Sequence, residues 1–78
     1  MIDYLNLKNS YIAAFQMGLE LGFSDPKQGN ELLHKFCENL VDNSNYRESD
    51  KQKMKQDLEL VKEALSQEIE LRFRGAQQ

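Results

Sequence analysis

In the last third of the chain, Met54, Leu58, Val61 and Leu65 recur at intervals of four, three and four residues. That spacing keeps them on one stripe of a 3.6-residue helix and is wrong for a strand, whose faces alternate every second residue. The stripe lies inside an amphipathic stretch from Ser49 to Gly75, longer than any other in the chain. Ser49 with Gln52 three residues on forms a capping-box pattern, and Gly75 is the residue type that closes a helix in the left-handed conformation. Glu68 with Arg72 and Glu70 with Arg74 stand four apart in the favourable order, with both arginines near the negative end of the helix dipole. At the other end Lys51, Lys53 and Lys55 oppose the dipole and only Asp50 complements it. This predicts fraying there, or a partner.

A chain of 78 residues allows one domain, 1–78, at a size where one core only marginally offsets chain entropy. Disulfides, metals or association often help such chains. One cysteine, Cys37, and one histidine, His34, cannot assemble an internal disulfide or a four-ligand zinc site from thiols and imidazoles, so no metal and no cofactor is expected. Association remains. No apolar run approaches the roughly 20 residues that span a bilayer, and the Met1 to Leu5 stretch lacks the basic start and apolar core of a secretory signal. The expected location is cytoplasmic, in a cell or an infected host, with no membrane partner.

Two shorter helices precede the long one. The first runs from about Leu5 to Leu21, with Leu5, Ile12, Phe15 and Leu19 on one face and Tyr4, Tyr11, Ala14 and Gly18 beside it. Asp3, Asn6, Asn9 and Ser10 are alternative caps. Gly22 closes this helix, and Phe23 is expected to fold back onto the core. Asp25 then caps a second helix, with Pro26 at the first helical position, where its missing amide costs nothing, and Gln28 completing a box. From Pro26 to Asp42 the apolar positions Leu32, Leu33, Phe36, Cys37, Leu40 and Val41 come as adjacent pairs every four residues, which predicts a broad buried face. Residues 43–48 are polar and turn-forming apart from Tyr46. Short connections favour antiparallel neighbours, so the expected fold is all-α, a small three-helix up-down-up arrangement with a long C-terminal helix and elements at about 5–21, 26–42 and 50–74.

At 1.5 Å per residue the first two helices are each about 25 Å long and the third about 36 Å, an overhang of roughly two turns. If the Met54 end packs beside the connecting loop, the uncovered part holds Ile69, Leu71 and Phe73 among alternating charges. The competing arrangement folds the Met1 to Leu7 segment over that end.

Candidate chemistry is sparse. His34, Cys37 and Glu38 lie within one helical turn, but Cys37 falls in the apolar stripe, where a free thiol acts as a small hydrophobe, and His34 falls on its flank. There is no glycine-rich phosphate loop and no nucleophile elbow. The chain is not expected to be an enzyme. The run Leu19-Glu20-Leu21-Gly22-Phe23-Ser24-Asp25-Pro26 resembles the turn into the second recognition helix of the arabinose-regulator family of transcription factors, with Leu32 and Leu33 where that family keeps apolar residues. The resemblance implies a DNA-facing surface at Lys27, Gln28 and Glu31. Gly29 stands where the family has an aromatic residue, and Glu31 where it often has a basic one.

Ten basic and thirteen acidic residues leave a net charge of -3, which makes nucleic acid an unfavoured partner. The leading expectation is a non-enzymatic protein-binding module: a small helical regulator, adaptor or inhibitor of the kind phages and mobile elements encode, which occupies a partner's surface. Its predicted contact residues are Ile69, Leu71, Arg72, Phe73 and Arg74, since aromatics and arginine are enriched at such surfaces. The alternatives are a small helix-turn-helix-like DNA-binding regulator and a structural homo-oligomer, such as a homodimer, paired through the long helix.

Overall fold

The computed structural model describes residues 3–22 and 24–76, with side chains described as far as Arg72. It forms three helices in the expected up-down-up order: α1 at Tyr4–Leu21, α2 at Pro26–Asp42 and α3 at Glu48–Ala76. The backbone of each boundary shows why it falls where it does. Of the four candidate caps of α1, Asp3 is the one used, accepting a hydrogen bond from the Leu5 amide at 3.1 Å. Gly22 adopts φ 86°, in the left-handed region, and its amide donates to the carbonyls of Gly18 and Leu19. Asp25 accepts from the Gln28 amide at 3.1 Å with Pro26 opening α2, as expected.

Both ends of α3 differ from expectation. Ser49 lies inside the first turn rather than at the cap, because α3 already starts at Glu48 and the Lys51 amide donates to Arg47 O. Gly75 does not end the helix, which continues to Ala76. Two of the three lysines at the start of α3 find partners on α2. Lys51 Nζ donates to Asp42 O at 2.9 Å and Lys55 Nζ pairs with Asp42 Oδ1 at 2.9 Å. Antiparallel packing brings the negative C-terminal end of α2 beside these cations, adding to the complement that Glu48 and Asp50 give in the first turn of α3.

One cluster of buried side chains joins the three helices: Tyr11 and Phe15 from α1, Cys37 and Val41 from α2, and Leu58, Val61, Leu65 and Ile69 from α3. Leu5, assigned to the buried face of α1, is 62 % exposed, and Tyr11 takes the central place. On α2 the buried stripe is Asn30, His34, Cys37 and Val41, so Leu32 and Phe36 point outward and His34 is not on the flank. Buried polar groups need partners, and α1 and α3 supply them for Asn30. Tyr11 Oη donates to Asn30 Oδ1, and Asn30 Nδ2 donates to Lys62 O at 3.0 Å and to Ser66 Oγ at 3.2 Å. Ser66, which breaks the apolar pattern of α3, is thus a partner for α2.

The first and third helices run parallel. Tyr4 Oη donates to Asp57 Oδ2 at 2.6 Å and to Met54 O at 3.2 Å, Lys8 Nζ pairs with Asp57 at 3.1 Å, and Gln16 Nε2 donates to Glu68 Oε2 at 2.9 Å. The second half of α1 therefore runs beside residues 68–69, while its first turn lies at the opposite end of the bundle, beside Met54. The long axis of the molecule, 47 Å, is set by α3, whose 29 residues span about 43 Å.

Candidate functional site

The five residues expected at the end of α3 divide. Ile69 is 3 % exposed and belongs to the core, which corrects its assignment to a partner surface. The reason is helical phase. Eleven residues make almost exactly three turns, so Ile69 stands nearly above Leu58 on the buried stripe of a straight helix, although it is displaced from a seven-residue repeat. Leu71 is 68 % exposed. Arg72 is exposed and its guanidinium pairs with Glu68 Oε1 at 3.2 Å, the i,i+4 contact expected. The side chains of Phe73 and Arg74, like all of Phe23, lie outside the described residues. The uncovered part of α3 starts beyond Ile69, at the exposed Glu70, Leu71 and Arg72.

A larger apolar surface lies elsewhere. Five charged residues of α2, Lys27, Glu31, Lys35, Glu38 and Asp42, are spaced four, four, three and four apart, on one stripe. Asp42 reaches Lys55, and the adjoining buried His34 reaches Glu59, so this stripe lies toward α3. The opposite flank of α2 carries Gly29, Leu32, Phe36 and Leu40 and no charge. On α1 the polar ties to α3 come from Lys8 and Gln16, and the flank away from them carries Ser10, Ala14, Met17 and Leu21, at intervals of four, three and four. Both uncharged flanks lie away from the side chains that reach α3.

Four large apolar side chains are open to solvent on these flanks: Met17 at 61 %, Leu21 at 81 %, Leu32 at 59 % and Phe36 at 61 %. A recess of about 240 Å³ lined by Ser24, Asp25, Gln28, Gly29 and Leu32 opens at their turn end. Isolated exposed hydrophobes are ordinary, whereas several large ones recurring along uncharged flanks are less so. The adjacent pairs Leu32–Leu33 and Phe36–Cys37 carried the signal: one member of each pair must turn outward when the buried stripe is only one residue wide.

On the α3 side of α2, His34 is 5 % exposed, with Nδ1 3.5 Å from Glu38 Oε1 and Nε2 2.8 Å from Glu59 Oε2. The second contact is close but lacks the alignment of a hydrogen bond, so buried Nε2 has no hydrogen-bond partner. Cys37 is fully enclosed in the core, and burial pushes its thiol above the ordinary value of 9.0, which keeps it protonated and unreactive.

The fold is a small all-α three-helix bundle whose α1 and α2 each carry an uncharged flank among the described residues. No protein-family model matches the chain, and neither the curated proteins nor the solved structures include one similar to it. Among the described residues, no helix is long and apolar enough to cross a membrane.

Proposed function

We propose that this protein is a non-enzymatic protein-binding module, a small cytoplasmic regulator, adaptor or inhibitor, and that it docks through the outer face of the α1–α2 hairpin. One observation carries the reading: Met17, Leu21, Leu32 and Phe36 are all more than half exposed, on flanks of α1 and α2 that carry no charged residue. Exposed apolar side chains recurring along a helix, with the small residues Ala14 and Gly29 among them, are the kind of surface against which an amphipathic helix of another protein lays its apolar side. Phenylalanine and methionine are enriched at such surfaces, and unbranched methionine adapts to the partner's shape. Leu71 offers a separate, smaller apolar contact at the end of α3. The mixed signs along the charged stripe of α2, two basic and three acidic residues, and the net charge of -3 favour protein over nucleic acid as partner.

The test is the double variant Leu32→Ser, Phe36→Ser. Affinity capture from the protein's own cellular context, run side by side with the unaltered chain, should lose the specific partner, while the melting temperature changes by no more than a few degrees, as for substitutions outside the core. Sedimentation over a range of concentrations identifies a second copy as the partner if the unaltered chain associates and the variant does not. Retention of the same partner, or a melting temperature lower by more than about 10 °C, which would mean these side chains are core, overturns the reading.

A further inference from the structure

We infer that His34, Glu38 and Glu59 form a binding site for a single first-row divalent cation, with zinc as the representative ion. The three residues each offer a ligand atom, and these atoms lie within 4.8 Å of one another. His34 and Glu38 stand four residues apart on α2, hence on one face of it, and Glu59 comes from α3 across the interface. One imidazole and two carboxylates are a donor set that suits zinc, and the two glutamates neutralise a dication.

The state of His34 argues for a ligand rather than for a simple polar contact. Its ring is 5 % exposed, yet Nε2 is a buried nitrogen with no hydrogen bond. An unsatisfied buried polar atom costs about 1–3 kcal/mol, and few survive in folded proteins. Glu59 Oε2 approaches Nε2 to 2.8 Å but off the direction a hydrogen bond would take. That is where a neighbouring ligand of the same ion belongs. Ligand atoms about 2.0–2.1 Å from one zinc ion lie roughly 2.9–3.4 Å from each other, so the Nε2–Glu59 pair opens slightly, while Glu38, whose Oε1 stands 3.5 Å from Nδ1, swings toward Nε2 to close a trio that spans up to 4.8 Å. Glu59 and Glu38 have room for it, their side chains being 53 % and 34 % exposed. Among the described residues no lysine or arginine forms an ion pair with either glutamate; Lys55, which feels the Glu38 charge, makes its ion pair with Asp42 instead. The open side leaves remaining coordination positions to water, and the bound ion ties α2 to α3.

The experiment is calorimetric titration of the full chain with zinc chloride at neutral pH, together with thermal melts at each zinc level. One equivalent should bind and raise the melting temperature. Glu38→Gln and Glu59→Gln, at accessible positions where the fold tolerates change, should each weaken binding at least ten-fold. Cys37→Ala should bind as before, and cobalt(II) in place of zinc should give visible ligand-field absorption without the near-ultraviolet band of a thiolate ligand. His34→Ala is less decisive, because removing a buried ring also disturbs packing. Absence of binding, binding unchanged in both glutamine variants, or binding abolished by Cys37→Ala would each overturn the inference. None of these readouts depends on the partner proposed for the α1–α2 face.

Discussion

A buried side-chain amide has two donors and two acceptor sites to satisfy, and Asn30, 1 % exposed, satisfies three of them with residues of the other two helices. Its neighbours depend on it in turn. Replacing Asn30 by alanine leaves Tyr11 Oη with only the longer contact to Asn30 O, 3.3 Å away, and strips Lys62 O of the Asn30 amide. At roughly 1 kcal/mol per lost bond plus the cavity, Asn30→Ala should cost about 2–4 kcal/mol in urea denaturation. Ser66→Ala, which removes one exposed partner, should cost under about 1 kcal/mol. Asn30 was hidden from a reading that sought apolar residues alone. Counting Asn30 and His34 with Cys37 and Val41 restores intervals of four, three and four, the true buried stripe of α2. A polar residue takes a core place only when its partner is known, and that partner lies on a different helix.

At the level of the helices, the boundaries between α1 and α2 were legible at Gly22, Asp25 and Pro26, because these signals are local and act on backbone groups within four residues. The left-handed conformation of Gly22 makes the testable case. No atom lies within 4 Å of where its side chain would begin, so Gly22→Ala meets no clash and its cost is purely conformational, about 1 kcal/mol. Gly22→Asn should cost a fraction of that, since asparagine tolerates this region. Chemical denaturation of the two variants separates them. The ends of α3 were less legible for the same physical reason. Its start is set by the approach of α2, whose terminal Asp42 receives Lys51 and Lys55, and that approach is not written in any short run of residues.

For the molecule as a whole, the three interfaces are unequal in kind. The contact between α1 and α3 carries polar ties at both ends, Tyr4 and Lys8 on Asp57 and Gln16 on Glu68, and this makes the bundle sensitive to pH. The Tyr4 hydrogen bond, helped by Lys8, holds the Asp57 carboxyl below its ordinary value of 3.8, against the opposing effect of burial. A lowered carboxyl pKa stabilises the fold fully above the unfolded value and stops doing so as pH falls through the folded one. Stability should therefore decline below about pH 4, and Asp57→Asn should flatten that decline in denaturation curves recorded across the acid range. The expected up-down-up order and the length of α3 were visible in the sequence, but the side of the hairpin that α3 occupies was not. An up-down-up chain has two such seats, related as left hand to right. The outer seat, with Leu32 and Phe36, is apolar enough to accept a helix; the occupied one has directional bonds, Asn30 to Lys62 and Ser66. A clasp that closes on one side only selects the handedness of the bundle, and by drawing α3 to that side it leaves the mirror-image seat, with Leu32 and Phe36, open to solvent.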